Sequence, residues 1–262
     1  MATVITAGCG ISYEQFDKWP TWPKYCEFSH ECRNFNVGGP AAGNEHIARS
    51  ITRAVLEQGA DCVIVAWTNP DKLDVYVESA QLSNQVHGFP TRNFVIDYRG
   101  KFVAFPGNWP SSNSYDNPIK NWYKDNIESL IYYYIRTLES ILSVQMLCKV
   151  RNIPCHMFLA YELDQTVMTH PDLQYLFEAI DWSMFDNTKS LECDYHESIW
   201  FEYCSTQQHG MVPVAGWHWN FYTTRIIPIL DRYFQQHPHK KFWKLEPEIL
   251  RITQDRYEKG IS

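Results

Sequence analysis

The run Cys62-Val63-Ile64-Val65-Ala66-Trp67-Thr68 is apolar until its last residue, and it restricts the folds open to this chain more than any other feature. A strand with one wet face alternates apolar and polar residues. A strand apolar on both faces needs cover on each, as in the middle of a parallel sheet sandwiched between helices. The flanking segments fit that arrangement. Thr3–Cys9 reads as a short buried strand ending in Gly8-Cys9-Gly10, Asn34–Val37 as a second ending at Gly38-Gly39-Pro40, and Pro154–Tyr161 as a later one. A helix is expected from about Asn44 to Gln58, with Ile47, Ile51, Ala54 and Val55 on one face and Gly59 to stop it. The longest helix is expected from about Ile119 to Val150, with Ile127, Leu130, Ile131, Tyr134, Ile135, Leu138, Ile141 and Leu142 on one stripe. A last helix is expected over about Phe221–Gln236.

Alternating strands and helices predict an α/β fold, three layers of α/β/α around a mostly parallel central sheet with right-handed crossovers, flavodoxin-like in class. Residues 1–236 are read as one domain. Within it, residues 84–118 break the alternation and read as an insertion over the sheet, carrying a small hairpin in which Phe94–Tyr98 and Lys101–Phe105 flank Arg99-Gly100. Residues 163–208 read as irregular, and 237–262 as a charged tail, solvated or bound to a partner.

Composition excludes several functions. The net charge of −7 gives no basic surface to release counterions from a nucleic-acid backbone, so no nucleic-acid partner is expected. The first residues lack the basic start and apolar core of a secretory signal, and no apolar run approaches bilayer length. A cytoplasmic location is expected, with no membrane partner. The eight cysteines (Cys9, Cys26, Cys32, Cys62, Cys148, Cys155, Cys193 and Cys204) then read as free, mostly buried thiols. Cys26, His30 and Cys32 match no zinc-site spacing, so no metal and no other cofactor is expected. The chain has 10 Trp, and Trp19, Trp22, Trp109, Trp217 and Trp219 fall near predicted loops, which would suit a glycan-stacking surface.

In a parallel sheet of this kind ligands gather at the carboxyl ends of the strands. Here those ends carry four blocks: Ile5-Thr6-Ala7-Gly8-Cys9-Gly10-Ile11-Ser12, then 36–49 (NVGGPAAGNEHIAR), then Ile64-Val65-Ala66-Trp67-Thr68-Asn69, and finally His209-Gly210-Met211-Val212-Pro213 followed by Gly216-Trp217-His218-Trp219. Taken in order, these blocks resemble the four conserved blocks of the SGNH (GDSL) hydrolase family. The first, with Trp19-Pro20-Thr21-Trp22-Pro23 after it, is similar to phage-borne members. The resemblance spans nearly the whole chain apart from 84–118 and the tail.

What it implies is an ester-hydrolase scaffold in which Gly43 and Asn69 donate to an oxyanion, with Gly10 and Asn44 beside them in the pocket. Such chemistry needs a hydroxyl nucleophile, an imidazole base and a group orienting the imidazole. In the matching register the nucleophile position is Gly10, the acid position His209 and the base position Val212, and none of these residue types serves. The third block also departs from the family, with Trp67 and Pro70 where Gly and Asp are usual. The resemblance therefore implies a degenerate hydrolase kept as a viral accessory, structural or binding protein, in host cytoplasm or virion. The competing reading is an active esterase with a relocated nucleophile, Ser12 or Cys9, and His218 or His209 as base. A small ester, a glycan or a protein is the partner to look for, and self-association is open.

Overall fold

The strand at 62–68 does lie inside a parallel sheet. The computed structural model describes residues 2–9, 21–29, 32–39, 42–70, 72–76, 102–105, 129–160, 163–164, 167, 169–186 and 221–237. In chain order the elements are β1 (Ala2–Ala7), α1 (Trp22–Ser29), β2 (Cys32–Asn36), α2 (Asn44–Gln58), β3 (Cys62–Trp67), β4 (Leu73–Tyr76), β5 (Phe102–Phe105), α3 (Leu130–Arg151), β6 (Cys155–Leu159), α4 (Pro171–Ala179) and α5 (Ile227–Gln236). The main sheet has the order β2-β1-β3-β6 with every pairing parallel.

Side chains sort by the two-residue period of the strands. Ile5, Ala7, Val63, Val65, Trp67, Met157 and Leu159 face a core shared with α2, α3 and α4. Val4, Cys62, Ile64, Ala66 and Phe158 face a second core, filled from α1 by Trp22 and Tyr25 and from the C-terminal helix by Tyr222, Ile226 and Leu230. These two cores make three layers. The chain runs from β1 outward to β2 and then back across β1 to β3. Right-handed connections running in opposite directions put α1 and α2 on opposite faces, as observed. Beyond β6, Phe185 makes a parallel bridge to Met157, and the Asp186 N–H donates to the Met157 carbonyl at 3.1 Å. His156 Nδ1 lies 3.3 Å from Asp186 Oδ2 across the same edge.

Several boundaries differ from the sequence expectations. The long helix begins at Leu130, not near Ile119, because Ser129 is extended (φ −136, ψ 123) and its side chain caps the first turn by accepting from the Tyr132 N–H. Its buried stripe is Tyr134, Leu138, Ile141, Val144 and Cys148, while Leu130 stands exposed. The Lys101–Phe105 strand is real, but β5 pairs antiparallel with β4, which the sequence reading had not picked out; Phe94–Tyr98 lies outside the described residues. Residues 163–208 are not wholly irregular, since α4 and a 3-10 turn at Trp182–Met184 form there. Pro171 starts α4 with a preset φ, His170 caps it by accepting from the Asp172 N–H, and Leu173 and Leu176 bury its inner face.

The C-terminal helix opens with a π-helical turn, Tyr222–Ile226, in which the Ile227 N–H reaches back to the Tyr222 carbonyl. Pro228 follows at once, and a proline cannot donate to the preceding turn, so the irregular turn sits where a regular ladder would break. No helix among the described residues is long and apolar enough to cross a membrane.

The corrected stripe on α3 gives a test. Leu138→Ala removes a fully buried side chain and is expected to cost about 2–5 kcal/mol. Leu130→Ala, at a half-exposed position, should stay within about 0.5 kcal/mol of wild type. Urea midpoints at unchanged m-value would check both.

Candidate functional site

The carboxyl edge of the sheet is built from loop tips that bond to one another. The Val37 N–H donates to the Thr6 carbonyl at 2.8 Å and the Gly39 N–H to the Gly8 carbonyl at 3.1 Å, joining the tips of β1 and β2. The Asn36 side chain accepts from the Gly38 N–H at 3.0 Å and holds that turn. Asn44, the first residue of α2, then ties the tip of β3 to the same edge. Its carboxamide accepts from the Thr68 N–H at 2.9 Å and donates to the Thr68 carbonyl at 3.0 Å, imitating a strand partner. It also donates to Thr137 Oγ1 on α3 at 3.0 Å. Three buried contacts thus lock Asn44, which makes it a structural clasp at the pocket rather than a free donor within it.

Gly43 lies one residue earlier, and its N–H is the donor that the family resemblance assigns to an oxyanion. Here it donates to Asp74 Oδ1 at 2.9 Å, while the His46 N–H donates to Asp74 Oδ2 at 2.8 Å. A carboxylate carried in from β4 therefore caps α2, where orphan N–H groups and the positive end of the helix dipole favour an anion. Gly43 has an ordinary extended backbone (φ −87, ψ 174), so no conformational freedom is being used. Space is what requires glycine. A Cβ there would lie 2.5 Å from Asp74 Oδ2 and 2.9 Å from the Lys72 carbonyl oxygen.

Asp74 is buried, and burial raises its carboxyl from 3.8 to about 6, against the two backbone donors and the charges of Lys72 and Arg49. The magnitudes are close. Desolvating a carboxylate costs several kcal/mol. Two charge-assisted hydrogen bonds return about 1.5–3 kcal/mol each, and a helix N-terminus up to about 2 more.

Beside the clasp is a polar cleft lined by Asn44, Glu45, Pro70, Lys72, Tyr133, Arg136 and Thr137. Glu45 and Arg136 form an ion pair across it, from α2 to α3, and the Arg136 guanidinium lies over the Tyr132 ring. Asn69 precedes Pro70 of that lining, and the Lys72 N–H donates to the Asn69 carbonyl at 3.3 Å.

Of the residues expected from sequence, Gly43, Asn44 and Asn69 are thus brought to one edge. Gly10, Ser12, His209 and His218 lie outside the described residues. Cys9 is buried at 2% exposure, as inert packing would be and a working thiolate would not. Trp22 is fully buried against Phe221, which removes it from any glycan-stacking surface; Trp19, Trp109, Trp217 and Trp219 lie outside the described residues.

A hydroxyl does meet an imidazole on α2, where Ser50 Oγ lies 3.1 Å from His46 Nε2. Both side chains are buried, one turn apart. Ser50 lines a different shallow cleft, with Phe35, Val37 and Arg53. The N–H groups around Ser50 are committed to the helix and the His46 N–H is taken by Asp74, so none is left to steady an oxyanion. The pair packs the helix. Sequence reasoning missed Asp74 and Arg136, and the one available signal for Asp74 was an acid inside the strand-like Leu73-Asp74-Val75-Tyr76.

Two measurements follow. Gly43→Ala should lose about 1–3 kcal/mol by overpacking, and the loss should shrink in an Asp74→Ala background, read as coupling in a double-mutant cycle. The second concerns pH. Because the folded state binds the Asp74 proton more tightly than the unfolded chain, the stability due to the protonated form is full below 3.8 and is lost as pH rises through about 6. At about 1.4 kcal/mol per pKa unit the whole swing is at most about 3 kcal/mol. Asp74→Asn should flatten that segment of the stability–pH curve; an unchanged slope would place the titration elsewhere. No family model matches the chain, and no curated protein matches its sequence.

Proposed function

We infer that this chain is an SGNH-hydrolase-like domain that has lost ester hydrolysis and serves as a binding or structural component, in keeping with the phage-like character of its first two sequence blocks. The parallel order β2-β1-β3-β6 and the bonded tips at its carboxyl edge support the scaffold part of this reading. One observation carries the loss of catalysis. The Gly43 N–H is donated to the protein's own Asp74 carboxylate, so a negative oxygen already lies where an acyl oxyanion would need that donor. Gly10 at the family's nucleophile position and Val212 at its base position support the same reading, and among the described residues the cleft lining sets no imidazole beside a hydroxyl.

The cleft's character follows from its lining. The cleft is no larger than a water molecule, and its lining of Lys72, Arg136 and Glu45 with Tyr133 and Thr137 suits a single polar atom, such as one oxygen of a partner chain's carboxylate or amide, better than an acyl tail.

The decisive experiment is activity-based labelling. A fluorophosphonate probe should leave the folded protein unlabelled, and short-chain chromogenic esters should turn over no faster than in buffer. Asp74→Ala, which frees the Gly43 N–H, should not restore turnover. Labelling that disappears in Ser12→Ala would instead establish a relocated serine nucleophile and an active esterase.

A further inference from the structure

Among the described residues, β4 and β5 form a sheet of their own, four residue pairs long and separate from the main sheet. Two short strands are marginal in water unless something holds them. The described tie between this pair and α2 is polar. Asp74 in β4 is 7% exposed, and its carboxyl oxygens take the Gly43 N–H at 2.9 Å and the His46 N–H at 2.8 Å, one each.

The groups around that carboxyl pull in different directions. Arg49 on α2 and Lys72 just before β4 favour its charge, as do the two N–H groups, and burial opposes it more strongly. Glu45 is paired with Arg136 on α3, the His46 ring meets Ser50, and β5 sets Ala104 opposite Asp74. Beside Gly43, Asp74 Oδ2 and the Lys72 carbonyl oxygen lie 2.5 Å and 2.9 Å from the one point that a Cβ there would take. Two oxygens thus crowd one spot. A proton on Oδ2 eases that crowding, and a full negative charge does not.

We propose that the β4–β5 pair is a proton-held latch: with Asp74 protonated it stays docked on α2, and as Asp74 loses its proton it opens locally while the main sheet stays folded. Opening carries the carboxyl group into water, where its hold on a proton is ordinary. The docked form holds the proton more tightly, since burial raises the group from 3.8 to about 6. Docking is therefore favoured in full below 3.8 and weakens as pH rises through about 6, by about a hundredfold in all. Local opening of a small unit ahead of the core is an ordinary property of folded chains.

The latch bears on the cleft beside Asn44. Pro70 and Lys72, which help to line it, belong to the segment that leads into β4, so opening takes away part of that wall. On the binding role inferred above, pH then controls the cleft; the latch itself does not depend on that role.

The test is amide hydrogen exchange of the full chain from pH 4 to 8, corrected for the intrinsic pH dependence of exchange and run where exchange reports the opening equilibrium. In the wild type, peptides holding residues 73–76 and 102–105 should be less protected than those holding β3. Their protection should fall by about a hundredfold with rising pH and level off above about 6. In Asp74→Asn, a neutral side chain of the same shape, the fall should vanish. Protection equal to that of β3 at every pH would overturn local opening, and that comparison needs only the wild-type chain. A fall that persists in Asp74→Asn, or that in the wild type continues past pH 7, would overturn the role of Asp74.

Discussion

A strand with no wet side has to be covered twice, and most of this structure follows from meeting that demand for β3. Its six residues are all buried, three toward each core. Each face needs its own helices, and the strands beside β3 are largely buried too, with the one buried hydroxyl of β1, on Thr6, bonded to Asn34. Those helices have to cross from the end of one strand to the start of the next, which makes the sheet parallel and collects every outgoing loop at one edge. The reversal of direction at β1 then separates the loops leaving β1 and β3 onto opposite faces and opens a crevice between them. The location of the candidate site is thus a consequence of how β3 is buried.

What fills that edge is the protein's own polar groups. Asn44 presents a carboxamide to Thr68 as if it were one more residue of a strand, and Asp74 presents a carboxylate to the start of α2 as if it were a bound anion. Both answer the same requirement, since main-chain N–H and C=O groups that are shut off from water need partners. An active hydrolase leaves some such donors unsatisfied until substrate arrives. Here the Gly43 N–H, the donor that the family resemblance assigns to that work, fixes β4, and through it β5, against α2. That N–H serves the fold, with the Asp74 carboxylate as its partner.

The fold was largely legible because burial imprints a period on the sequence. The two-sided run at 62–68, the helical spacing of Ile47, Ile51 and Val55, and Gly59 past the last turn were read directly and appear as β3 and α2. The misreadings share a cause. Ser129 starts α3 through a single side-chain cap, which the continuous apolar spacing from Ile127 onward conceals. The pairing of β4 with β5 joins segments distant in sequence, and no local pattern encodes a partner's identity. In the same way Asp74 reaches Gly43 from a strand 31 residues further along the chain, so the spacing around Gly43 says a small residue is required without saying what crowds it. Residues Gly43, Asn44 and Asn69 could be placed on one edge from sequence; the occupant of their donors could not.

The loops at this edge have to be held whatever the site does, and that alone is a reason for residues such as Gly43 and Asn44 to stand where they do. Replacing Gly43 or Asn44 is costly. The first would drive a methyl group into Asp74 and the Lys72 carbonyl, and the second would strip Thr68 of both its main-chain partners. Residues needed for stability can therefore present the outline of a catalytic site whatever chemistry is done there. By this argument Gly43 and Asn44 report how α2 is anchored, and only the atoms bonded to them report whether the site can still react.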